Sequence, residues 1–75
     1  MFHGQEIINK VRAQYPVGTR VRLLKMDDVQ APPIGTCGTV IGVDDIASLL
    51  VQWDNGSGLH VVYGVDRVEK IKEGS

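Results

Sequence analysis

This 75-residue sequence contains a single cysteine, Cys37. It has no partner for an intrachain disulfide and cannot build a cysteine-rich zinc site. Charge of either sign is not in excess: 8 Lys and Arg stand against 9 Asp and Glu, for a formal net charge of −1. A protein that lives on a phosphate backbone usually carries net positive charge, so the balance argues against a dominant nucleic-acid role. Long hydrophobic runs are missing too. No stretch approaches membrane-spanning length, and the first fifteen residues hold no apolar signal core, so the expected compartment is the cytoplasm and no membrane partner is expected. Catalytic signatures are likewise absent: no Ser-His-Asp arrangement, HExxH motif or phosphate loop can be read. The expectation is a non-enzyme with no cofactor and no metal.

What is present is a change of period along the chain. Residues 4–14 (GQEIINKVRAQ) place Ile7, Ile8, Val11 and Tyr15 at helical spacing, with Glu6 and Lys10 on the wetter side. Pro16 ends this segment, because the residue before a proline is pushed out of the α region. So short a helix is marginal alone and must dock, on the rest of the chain or on a second copy. From Val17-Gly18-Thr19 the period becomes two. Val21 and Leu23 face one way, and Arg20, Arg22 and Leu24 the other.

Asp27 to Gly35 reads as a loop stiffened by Pro32-Pro33, followed by a glycine-punctuated strand over 36–43 in which Gly38 and Gly42 predict close backbone approach or bulges. Asp44-Asp45 begin a turn. Leu49, Val51 and Trp53 then alternate inward. Trp53-Asp54-Asn55-Gly56-Ser57 is a hairpin signal, since Asn-Gly tolerates the positive φ of a tight turn. It also makes Asn55-Gly56-Ser57, formally a glycosylation acceptor, turn chemistry. Leu59, Val61 and Tyr63 are assigned inward on a fourth strand, Gly64-Val65-Asp66 to a turn, and Val68 to Ile71 to a fifth strand, with Lys72 to Ser75 fraying. Five strands with a long loop after the first predict a mainly β fold: a small five-stranded SH3-like barrel over 17–75 with the helix of 1–16 packed on it.

Laid out this way, the chain resembles one bacterial family from about Val11 to Ile71. The resemblance is carried by Tyr15-Pro16-Val17-Gly18-Thr19-Arg20-Val21, Met26-Asp27-Asp28, Pro33-Ile34-Gly35-Thr36, Gly38-Thr39-Val40, Val43-Asp44-Asp45, Trp53 to Ser57 and Gly64-Val65-Asp66. That family is domain of unknown function 4314, of Gram-positive bacteria, their phages and conjugative elements. The resemblance implies a fold and a genomic setting, and no activity. Over Leu49 to Val68 the chain is also similar to the repeat shared by the Mind bomb and HERC ubiquitin ligases, an SH3-like peptide-binding module. Gly35 to Val43 is similar to the ribosomal KOW motif, from which this chain departs in lacking basic richness.

Candidate site residues follow. In SH3-like barrels the long loop after the first strand lines the ligand groove, so Asp27, Asp28, Gln30 and Pro33 are assigned to a peptide groove, with Tyr63 as its aromatic floor. Trp53, Asp54 and Asn55 form its other wall. Trp53 has a second reading as a core side chain in phase with Leu49 and Val51, and Asp54 and Asn55 as residues that close the hairpin. Asp66 is expected to cap its own turn. Asp44-Asp45 and Asp27-Asp28 lack the spacing of a cation loop. His3 and His60 have no nucleophile partner, and Cys37 has no base to activate it. Arg20, Arg22, Lys25 and Arg67 form a modest basic stripe if the first and last strands pair. The favoured partner is a peptide or another protein. The rival readings are a nucleic-acid accessory factor that uses this stripe, and a phage-type inhibitor of host defence that sequesters a nucleotide or blocks an enzyme. The last would need an oligomer, which the helix could supply.

Overall fold

A computed structural model describes residues 4–71. His3 and the expected fraying of Lys72 to Ser75 lie outside the described residues. The apolar stripe at the start of the chain forms α1, Gly4–Gln14. Five strands follow: β1 Arg20–Lys25, β2 Cys37–Val43, β3 Ser48–Trp53, β4 Val61–Val62 and β5 Arg67–Lys70. They make one antiparallel sheet in the order β4-β3-β2-β1-β5. The fold is mainly β, with one helix. No helix among the described residues is long and apolar enough to cross a membrane.

Alternation along the strands decides the core. Val21 and Leu23 of β1, Val40 of β2, Leu49, Val51 and Trp53 of β3, and Val61 of β4 are all buried. Ile8 and Val11 of α1 join them, while Ile7 and Tyr15 pack at the margin. The helix is therefore held by burying its stripe on the chain's own sheet, where it lies against β2.

Two tetrapeptides, Pro16-Val17-Gly18-Thr19 and Pro33-Ile34-Gly35-Thr36, launch β1 and β2 in the same way. In each, the threonine amide (3.0 Å) and hydroxyl (2.6 Å) both donate to the proline carbonyl. Gly18 and Gly35 each take a φ of 95°, which the third position of such a turn requires.

The two glycines of β2 do different things. Gly38 sits opposite Trp53 in the β2–β3 register. A Cβ there would lie 2.6 Å from Val51 Cγ1, 2.9 Å from Trp53 Cε3 and 3.0 Å from the Gln52 carbonyl oxygen. Gly42 instead follows a register shift between Val40 and Gly42, a bulge that bends β2. The β2–β3 turn is tied by Asp44, whose Oδ1 accepts from the Ile46 (3.1 Å) and Ser48 (2.8 Å) amides. Ala47 completes it at a φ of 62°.

Four expectations are corrected. Among the described residues no ladder joins β4 to β5, so the sheet is not closed into a barrel. The reason is local: the Val62 amide donates to Asp66 Oδ2 at 2.9 Å, and the Val62 carbonyl accepts from the Val65 and Asp66 amides. That leaves little of β4 to offer another strand. Leu59 lies outside β4 and is only half-buried, because its carbonyl is held by the Trp53 indole N–H at 2.9 Å. Tyr63 also lies beyond the strand and is 39% exposed. Of Asn55 and Gly56, only Gly56 takes a positive φ, and Asn55 works through its side chain, which accepts from the Ser57 amide at 3.0 Å.

Gly38→Ala is expected to lower unfolding stability by about 1–3 kcal/mol, the range for forcing an extra carbon into a packed site. Gly58→Ala, where a Cβ meets nothing within 4 Å, serves as the control. Urea midpoints of the two variants check this; equal midpoints would contradict the packing described.

Candidate functional site

The outer face of the sheet carries paired charges. Arg20, at the start of β1, reaches across β2 to Asp54, just beyond β3. Its two terminal nitrogens meet the two carboxylate oxygens at 2.8 and 2.6 Å, and Nη1 also donates to Thr39 Oγ1 at 3.0 Å. This fork geometry suits a guanidinium and a carboxylate. The hydrogen bonds from Arg20 hold the Asp54 carboxyl below its ordinary pKa of 3.8. Next along β1, Arg22 meets Glu69 of β5 at 3.1 Å. Of the basic stripe, then, Arg20 and Arg22 are each engaged by a carboxylate. Lys25 and Arg67 sit at the far end, where they are register partners across β1 and β5.

At that end the unclosed seam leaves an open groove of about 380 Å³. Leu49, Val61 and Val68 line it from the core side, Leu24 from β1, Tyr63 and Asp66 from the β4–β5 connection, and Arg67 from the start of β5. Leu24 reaches this side because the β1–β5 register shifts between Leu23 and Lys25, a bulge that re-aims the strand's side chains. Tyr15, just past α1, closes the groove's remaining wall. Partial burial, and after it the Tyr63 phenol, raise the Tyr15 hydroxyl above its ordinary pKa of 10.0. The Lys70 ammonium lies 5.5 Å from the centre of the Tyr15 ring, close enough for a cation–π attraction.

The structure does not gather the sequence-assigned groove around Tyr63. Asp27, Asp28, Gln30 and Pro33 are exposed, and none of them lines the seam groove. Asp28 Oδ1 accepts from the Gln30 amide at 2.8 Å, so this carboxylate shapes its own loop. Trp53 takes its core reading: it is 1% exposed and presents no surface to a ligand. Asn55 closes the hairpin, whereas the Asp54 side chain reaches back to Arg20. Asp66 bonds the Val62 amide, as a turn cap does. His60 Nδ1 is 4.0 Å from Asp44 Oδ2, on the exterior. Cys37 is a half-buried free thiol. Among the described residues no three His, Cys, Asp or Glu side chains gather in a way that would hold a metal.

The residues that sequence reasoning missed are Tyr15, Leu24, Val68 and Lys70. Tyr15 was legible only as a packing residue, Val68 only as a residue of the fifth strand, and Leu24 only as an outward one. A single-residue bulge leaves no periodic trace in a strand of six residues.

The family model described as a domain of unknown function (DUF4314) matches residues 4–71. No curated protein and no solved structure matches the chain.

The Asp54 carboxyl is lowered in the folded state, so its contribution to stability is complete above the ordinary carboxylate value of 3.8 and is lost as pH falls through the lowered one. Asp54→Asn should therefore be less stable than the parent at neutral pH, the difference shrinking as the solution is acidified below that range. Denaturant midpoints of both proteins across the acid range check this. A difference that stays constant with pH would remove the ion pair as its cause.

Proposed function

The chain belongs to the DUF4314 family, and on that premise we propose that it is a non-catalytic binding module that takes a peptide segment of another protein. The single observation that carries the reading is the seam groove. It is concave and floored by aliphatic side chains, with a few polar groups at its edge, the usual make-up of a ligand site. Tyr63, assigned from the sequence as the aromatic element of the site, keeps that part. The rest of the site moves from the Asp27–Pro33 loop to the β4–β5 seam.

The non-catalytic part of the proposal rests on the sequence, in which no nucleophile and base can be paired. Nucleic acid is the less favoured partner, because Arg20 and Arg22 are already held by Asp54 and Glu69. The setting we propose is the cytoplasm of a bacterium, or of one carrying the phage or mobile element that encodes the protein. The lone thiol supports a reducing compartment.

Selection of a phage-displayed library of random short peptides on the immobilised protein tests this reading. Enrichment over a blank surface is expected, with binding of the selected peptides reduced about tenfold or more by Tyr63→Ala, as for loss of an aromatic anchor. Buried-type Trp53 emission reports that the variant is folded. No enrichment, or selected peptides indifferent to Tyr63, would dispose of the proposal.

A further inference from the structure

We propose that the segment this groove accepts is acidic: an extended stretch carrying Asp or Glu beside an apolar residue. The inference rests on the binding-module reading above and adds the partner's charge to it. It starts from an electrostatic mismatch. Lys25 and Arg67 are Cα register partners on β1 and β5, and like charges directly opposite one another weaken an antiparallel pair. Two register pairs further along the same two strands, past Leu23 and Val68, Arg22 faces Glu69 and the charges match. The mismatch is thus confined to the groove end of the ladder.

Among the described residues neither Lys25 nor Arg67 has an ion-pair partner. Of the two acids of the same seam, Glu69 is taken by Arg22, while Asp66 accepts from the Val62 amide and keeps its charge on the groove, one carboxylate against the cations of Lys25, Arg67 and Lys70. Arg67 itself lines the groove, and Lys70 stands at its Tyr15 wall. The phenols of Tyr15 and Tyr63 add hydrogen-bond donors beside an aliphatic floor. A ligand that places carboxylates on these cations and an apolar side chain on Leu24 and Val68 relieves the repulsion and covers the floor. Charge complementarity of this sort steers association and selects among partners. A nucleic acid would also meet the cations, but it has no apolar side chain for the floor.

The test is the composition of peptides selected from the same displayed library at low salt. They should be enriched in Asp and Glu, and their affinity should fall about tenfold when Lys25→Glu and Arg67→Glu are combined, the scale expected when two exposed attractions become repulsions. Selection on that double variant should turn toward Lys and Arg. Both sites are exposed, and Trp53 emission confirms that the variant is folded. The neutral pair Lys25→Gln with Arg67→Gln should give an intermediate affinity. Selected peptides without acidic bias, or indifferent to the reversal, overturn the charge claim while leaving the binding-module reading standing. No selection on either protein removes both. An oligothymidylate that binds the groove more tightly than any selected peptide overturns the proposal in favour of a nucleic acid.

Discussion

Much of this fold depends on one side chain and the space left for it. Trp53 is buried opposite Gly38, and the missing Cβ on β2 is what lets the indole and Val51 lie against that strand. The same ring then uses its N–H to hold the Leu59 carbonyl at 2.9 Å. That bond gives a buried polar atom its partner, as a low-dielectric interior demands. It also keeps the chain after the hairpin close to β3 without pairing it there. β4 consequently starts only at Val61, and the bonds of Val62 to Val65 and Asp66 end it one residue later. From this shortness the open seam follows, and with it the groove.

Charge is distributed with the same economy. On the outer face, cations and carboxylates from distant parts of the chain meet in pairs: Arg20 with Asp54, Arg22 with Glu69. These contacts bind β1 to the β3 hairpin and to β5, and they leave the sheet's centre electrostatically quiet. The seam is different. There Lys25 and Arg67 face each other across the β1–β5 ladder, and of the seam's acids Glu69 is taken by Arg22 while Asp66 stays on the groove. A chain of near-zero net charge can in this way set like charges against each other at one place, which composition alone conceals.

Much of the fold was legible in the residues. The helix falls on residues 4–14 as its spacing predicted, since a proline and a change of period bracket it. Val21, Leu23, Val40, Leu49, Val51 and Trp53 are buried as period-two alternation required. That Gly38 and Gly42 mark close approach or bulges, and that Asp66 caps its turn, were also readable, because each is a short-range consequence of a side chain that is missing or is a hydrogen-bond acceptor; which glycine does which came from the structure. The candidate site was less legible. Tyr63 belongs to the groove, but the loop from Asp27 to Pro33 does not line it. The partners of Tyr63 are 48 residues earlier in the chain (Tyr15) or brought in by a bulge (Leu24), and neither leaves a local pattern.

The amino-acid sequence by itself determined the order of elements, the buried face of the helix and of the first three strands, and the turns between them. Those are set by interactions within a few residues: the periodicity of apolar side chains, proline's locked φ, glycine's tolerance of positive φ and the short reach of Asp and Asn. Only the tertiary structure decided whether the sheet closed, which carboxylate each arginine met, and where a concave apolar surface remained. Each of these depends on the register between strands far apart in the chain. A shift of one residue, such as the bulge between Leu23 and Lys25, changes which side chains share a face.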